Sequence, residues 1–253
     1  MTGKQQLLLA VMTACGIAAA FILSPIPQDP AYHAFADQRT IFGIAHFWNV
    51  ISNLPFIAVG VFGLVRFSRV PDDSLRQPFL LLALGAILVG LGSACYHSRP
   101  STATLVWDRL PMAITFMAFF SLVVSDRVSA RLGRALLWPL ICAGIGSVAY
   151  WYWTELDHRG DLRAYAVVQF LPLLLIPSML LISPGRWLST GWLWGGLAAY
   201  LLAKVAECYD DVLYEYTGIA GGHSLKHILA AAALMMAMFS VLKKRVGDEH
   251  PGK

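Results

Sequence analysis

Two histidines four residues apart, in Gly222-His223-Ser224-Leu225-Lys226-His227, open the last long apolar run of this 253-residue chain. On a helix that spacing stacks both imidazoles on one face, within reach of a single ion. A lone pair of this kind is more often accidental than ligating, but here His97 closes one apolar run and Asp108 opens the next. A third neutral imidazole from His97 would complete three protein ligands. That leaves a fourth tetrahedral position for water, the arrangement of catalytic rather than structural zinc. Imidazoles without thiolates also suit other divalent metals, and zinc is preferred by analogy of ligand set. Ser93 lies one turn before His97 on the same face, where its hydroxyl could hydrogen-bond the oxyanion formed at an attacked carbonyl. Asp108 could accept a proton from the water and pass it to a leaving amine. These roles make a metal-assisted hydrolase of the acyl-transfer class.

More than a hundred residues separate His97 from His223, so long elements must bring them together. Hydrophobic residues make up 57% of the chain, charged residues 13%, and the mean hydropathy is +0.61. Water is not the main solvent of such a chain. Apolar runs of helix length occur at about 5–24, 47–66, 79–97, 106–125, 134–153, 163–182, 190–207 and 220–242. They lack the strict alternation of barrel strands, and a helix satisfies its own backbone in hydrocarbon. The fold class is therefore all-α, a polytopic membrane helix bundle with seven core transmembrane helices and an additional N-terminal helix. Residues 1–46 form that helix and an outer loop, 47–242 the catalytic bundle, and 243–253 a cytoplasmic tail. The first run is read as retained and not as a signal peptide, because no small-x-small cleavage site follows it.

Basic residues in the loops sort onto two sides: Lys4, Arg66, Arg69, Arg76, Arg127, Arg131, Arg134, Arg186, Lys243, Lys244, Arg245 and Lys253 against Arg39, Arg99, Arg109, Arg159 and Arg163. The positive-inside rule makes the richer side cytoplasmic, with both termini on it. The ends bearing His97, Asp108, His223 and His227 then share the outer face at one depth. Ionisable groups at membrane depth usually face the bundle interior and serve a site.

Other features read more plainly. No basic and aromatic stripe suggests nucleic acid. Cys15 and Cys142 are expected to pack mid-helix, and a disulfide between Cys95 and Cys208 is not favoured. Gly60, Gly63, Gly85, Gly90, Gly92, Gly144 and Gly146 suit close helix packing. His33, His46, His158 and His250 read as loop residues. Lys204 with Glu207 or Asp211 reads as a partly solvated ion pair, and Tyr150-Trp151-Tyr152-Trp153 as an interfacial belt.

The pattern Ser93-x3-His97-x10-Asp108 with a distant His223-x3-His227 resembles the alkaline ceramidase family. That family belongs to a superfamily of seven-helix membrane hydrolases that also includes adiponectin-type receptors. Phe47-Trp48-Asn49-Val50-Ile51-Ser52-Asn53 and Trp107-Asp108-Arg109-Leu110-Pro111-Met112 point to the ceramidase branch. The resemblance runs from about Phe47 to Leu242. It implies zinc on His97, His223 and His227, assistance from Ser93 and Asp108, and hydrolysis of a ceramide-like N-acyl lipid to a fatty acid and a sphingoid base. Eukaryotic relatives bind calcium through an acidic segment ending in Glu before the Phe-Trp-Asn motif. Here His46 holds that place and only Asp37 precedes it, so the loop does not supply the six or more oxygens that Ca2+ takes. The extra first helix is a second departure.

The sequence thus points to an intramembrane amidase whose lipid substrate arrives sideways, in a membrane read from the short loops as a bacterial inner membrane. A receptor-like or lipid-sensing member of the superfamily is the first rival, and a metal or proton transporter the second. The flanking motifs speak against the former. The absence of an internal repeat or paired broken helices speaks against the latter.

Overall fold

A computed structural model describes residues 1–243, and its regular structure is helical. The order is α1 (Gly3–Ile22), α2 (Phe47–Ile51), α3 (Leu54–Arg66), α4 (Asp73–Ser98), α5 (Thr102–Arg127), α6 (Ala130–Leu156), α7 (Arg163–Ile182), α8 (Thr190–Cys208), α9 (Asp210–Thr217) and α10 (Gly222–Leu242). Residues 244–253 of the expected tail, His250 among them, lie outside the described residues.

Helix starts follow side-chain caps more than the apolar runs. Asp72 accepts from the Ser74 amide and starts α4 six residues ahead of its apolar run, and Ser101 and Ser129 do the same for α5 and α6. Each supplies an acceptor to an amide that has no intrahelical partner. The run read as one helix over 47–66 breaks at Ser52–Asn53, just before Pro55, whose ring nitrogen cannot donate and which therefore suits the first turn of α3.

Among the described residues, seven helical segments are long and apolar enough to cross a membrane: α1, the α2–α3 stretch, α4, α5, α6, α7 and α10. The chain is a polytopic α-helical membrane bundle. Helix α8 runs in the same bundle and packs on α10, but Lys204 and Glu207 dilute its apolar character. Helix α1 has no buried residue; it lies on α7, and Gln5 donates to the Ile182 carbonyl. The core is built by α3, α4, α5, α7, α8 and α10, and a second cluster joins α4, α5, α6 and α7 beneath the 25–46 loop.

Several local expectations change. Cys15 and Cys142 face out of the bundle instead of packing inside it, and all four cysteines are free. Gly146 meets no neighbour, unlike the other glycines of that set. Trp151 is fully buried instead of standing in an interfacial belt, while Trp153 remains exposed. Arg127, counted above as a loop cation, is buried at the end of α5.

Candidate active site

Helix α4 presents Ser93 and His97 on one face, and α10 presents His223 and His227 in its first two turns. Two glycines let the backbones approach closely enough to align these faces. A Cβ on Gly92 would run into the Trp107 carbonyl of α5, and one on Gly222 into the Ala206 carbonyl of α8. The first contact sets α4 beside the turn of α5 that bears Asp108. The second seats the start of α10 against α8.

The three imidazoles converge. Their ring centroids stand 4.8 Å apart for His97–His223, 4.9 Å for His97–His227 and 5.0 Å for His223–His227. All three residues are buried, and one nitrogen from each lies within 4.8 Å of the others. The donor set fits a divalent metal: three nitrogen ligands on two rigid helices, with His97 Nδ1 lacking any hydrogen-bond partner among the described residues.

A second layer fixes the rings. Ser52 Oγ lies 2.8 Å from His227 Nδ1, which holds that ring's orientation and leaves Nε2 available. Ser224 Oγ donates to Asn49 Oδ1 at 2.7 Å, tying α10 to α2. Asp210 accepts from the His223 amide at 2.8 Å and from the Ala36 amide at 3.1 Å, which pins the 25–46 loop over the site. Phe35, in that loop, packs edge-on against both His97 and His223 at 4.6 and 4.5 Å. The motif around Phe47 thus carries the ring supports, a role that its residue types alone did not disclose.

Ser93 and Asp108 stand beside the triad as neighbours, both buried. With His227 they form part of the polar wall of a cavity of about 340 Å³ that runs down between the helices along apolar side chains such as Phe116, Leu173 and Leu234. Sites of this kind bind apolar ligands and orient them with a few polar groups.

Three further groups line the same cavity, and sequence reasoning gave them no role in the site. Arg109 is buried, Lys226 Nζ lies 2.8 Å from His223 Nε2, and Glu207 accepts from both Lys226 and Lys204. The pair, read as partly solvated, is also part of the cavity wall, and Asp211 is exposed and takes no part. Lys226 was legible only in hindsight, as a cation one turn past His223. Over the cavity, the Tyr32 ring lies against the Arg109 guanidinium. Burial and the nearby Arg109 guanidinium push His33 down, and its ring nitrogens pair with Tyr96 and Thr102. His46 Nδ1 lies 3.0 Å from the Asp37 carbonyl, and the Asp37 carboxylate is occupied by Arg39 and the Trp48 amide.

A polytopic helical bundle holding three histidines, a serine and a carboxylate at one end of an apolar cavity defines a membrane protein with a candidate metal centre. Residues 39–183, more than half of the chain, match the Ceramidase family, and the chain belongs to it. It is also similar to alkaline ceramidase 3 of Mus musculus, at 34% identity over 80 residues, 32% of this chain. That match spans 28% of the relative's length. Ser93, His97 and Asp108 fall inside the family match, whereas His223 and His227 lie beyond it and join the site through the fold.

Proposed function

We propose that this protein is a zinc-dependent intramembrane amidase that hydrolyses ceramide or a related N-acyl lipid to a fatty acid and an amine such as a sphingoid base. The observation that carries the reading is the buried His97–His223–His227 cluster at the edge of an apolar cavity inside a membrane bundle, a cavity that His227, Ser93 and Asp108 line. His97, His223 and His227 would hold the metal, which when bound supplies Lewis acidity to the water and the amide carbonyl.

The residues of the chain do the rest. Asp108 takes the proton released as water adds to the carbonyl carbon and delivers it to the amide nitrogen as the C–N bond breaks. Ser93 donates to the carbonyl oxygen as negative charge builds there. Apolar side chains along the cavity hold the acyl chain and keep bulk water out. Ser52 keeps the His227 ring oriented, and Phe35 covers the triad on the loop side. Residues 47–242 are the catalytic bundle, with 25–46 as its roof. The positive-inside bias supports cytoplasmic termini, a site toward the outer face, and a substrate entering sideways from the bilayer of a bacterial inner membrane.

The test is release of fatty acid from a panel of N-acyl lipids by the detergent-purified protein, with metal content measured on the same sample. Stoichiometric zinc and turnover are expected. His223→Ala and His227→Ala should lose the metal and at least about a thousandfold in turnover, since a metal site acts as a unit. Full metal content in either variant would sink the ligand assignment.

A further inference from the structure

Two charged walls meet at the catalytic end of the cavity, and they are engaged to different degrees. On one side Arg109 Nη2 donates to Gln28 Oε1 at 2.6 Å, and the guanidinium carbon stands 4.2, 5.0 and 5.6 Å from the ring centroids of Trp151, Tyr165 and Tyr32. Ring faces stabilise such a charge, so Arg109 fastens the 25–46 loop to α5, α6 and α7. The α8–α10 wall is more open. Glu207 and Lys226 pair across it at 2.9 Å, each side chain is 17% exposed, and both line the cavity. Lys226 Nζ also lies 2.8 Å from His223 Nε2, which sets the pair directly beside the triad. Lys204, toward the exposed edge, donates to the other Glu207 oxygen.

An ion pair set against an apolar cavity is costly unless its remaining hydrogen-bonding capacity is met. A carboxylate offers about four lone-pair sites and an ammonium three N–H groups. Contacts within the protein take two of the former and two of the latter, which leaves acceptor capacity on Glu207 and one donor on Lys226. A hydroxyl is donor and acceptor at once, so it fits beside this pair: its O–H donates to Glu207 and its oxygen accepts from Lys226. Because the two charges offset each other, the pair suits a neutral polar group. In an N-acyl amino alcohol the hydroxyls sit on carbons next to the one that bears nitrogen. An amide seated at His227, Ser93 and Asp108 therefore brings them to the wall beside the triad.

Building on the amidase reading above, we propose that Glu207 and Lys226 form the headgroup subsite, binding the hydroxyls of the amino-alcohol portion and setting a preference for N-acyl amino alcohols over simple N-acyl amines. Lys204 steadies the Glu207 carboxylate from the exposed side. The acyl chain runs along the apolar wall.

The experiment compares N-dodecanoylsphinganine with N-dodecanoyloctadecylamine, an amide of matched length without hydroxyls, on the full chain in nonionic detergent. Binding is read by tryptophan fluorescence on rapid mixing, ahead of turnover, and fatty acid release is followed afterwards. The diol should bind at least about tenfold more tightly, the scale of a hydrogen bond to a charged group. Glu207→Met combined with Lys226→Met removes both charges together, so neither is left facing the cavity without the other. That variant should bring the ratio to about one by weakening the diol, with metal content at the wild-type level. Glu207→Gln alone, which keeps a hydrogen-bonding side chain, should lower the ratio about threefold and serves if the paired variant does not fold. A merely structural role would weaken both amides alike and leave the ratio where it was. Equal affinity in the wild-type protein, or an unchanged ratio in either folded variant, overturns the proposal. Because binding is read apart from turnover, the two readings fail separately. Preference for the diol with no amide hydrolysed removes the amidase and keeps the subsite, whereas hydrolysis without preference removes the subsite alone.

Discussion

Buried charge sits at both ends of α5, and the two clusters are satisfied in opposite ways. At the far end, one Asp126 oxygen accepts from the amides of Arg186, Trp187 and Leu188 at 2.8, 2.6 and 3.1 Å, while the other pairs with Arg127 at 2.8 Å. Arg127 in turn donates to the Ser183 carbonyl and to Thr190, and Ser183 Oγ donates to the Arg127 carbonyl. Every partner there is protein, and the arrangement ties the 183–190 turn to α5. About 27 Å away along the helix, at 1.5 Å per residue, Asp108 and Arg109 face a cavity, and polar atoms such as Arg109 Nη1 and His97 Nδ1 have no hydrogen-bond partner among the described residues. Burial of charge in a membrane bundle does not by itself mark function. What separates a site from a staple is whether the polar atoms close on one another or remain open to a ligand.

Substitutions at the two ends should therefore act on different measurements. Asp108→Asn keeps the shape and the Ser93 neighbour but cannot take a proton. Metal content should stay at the wild-type level while turnover falls by about a hundred- to ten-thousandfold, the range for removing a general acid–base group. Unchanged turnover would return Asp108 to the class of staples. Ser93→Ala should weaken turnover by roughly tens to a thousandfold, chiefly in kcat, if the hydroxyl stabilises charge at the carbonyl oxygen. An equal loss in melting temperature for Ser93→Ala and for the far-end variants would erase the distinction.

At the far end, Asp126→Ala strips three amides of their acceptor and leaves a buried guanidinium without its carboxylate. A loss of about 3 kcal/mol or more in stability is expected, seen as a lower thermal midpoint in detergent. The folded fraction should retain its metal and its turnover per bound metal. A catalytic defect larger than the folding defect would show that the two ends communicate.

How much of this was legible in the sequence follows from the same contrast. Apolar length exposed the long helices, and spacing plus depth brought His97, Asp108, His223 and His227 to one level, since a bilayer orders residues along its normal. It does not order them laterally. Arg109 was in view beside Asp108, but its aromatic cage draws Tyr32, Trp151 and Tyr165 from three separate elements, and no local pattern links them. Trp151 read as an interfacial anchor and Arg127 as a loop cation for the same reason: composition reports the depth of a side chain and not the neighbour it turns toward. Glu207 and Lys226 lie 19 residues apart in sequence and become partners only once α8 and α10 pack.

The smallest effect lies in the segment before α7 that anchors α1. Arg163 hydrogen-bonds the Asp161 carboxylate and is the main reason that its pKa falls to about 2. The same guanidinium donates to the Leu23 carbonyl at the end of α1, so the pair joins the first helix to α7. An unfolded Asp titrates near 3.9, and a group whose folded pKa is depressed adds stability above that value. The contribution is complete above about pH 4 and is lost as the pH falls through about 2. Proteolysis between α1 and α2 should thus accelerate between pH 4 and 2 in the wild-type protein, using an acid-active protease. Asp161→Asn should be cleaved faster at neutral pH and lose most of that acid dependence. Because α1 buries no residue in the bundle and packs chiefly on α7, metal content should stay constant throughout. Loss of metal from Asp161→Asn at neutral pH would mean that the loop linking α1 to the triad carries more of the site than Phe35 and the Asp210 contacts account for.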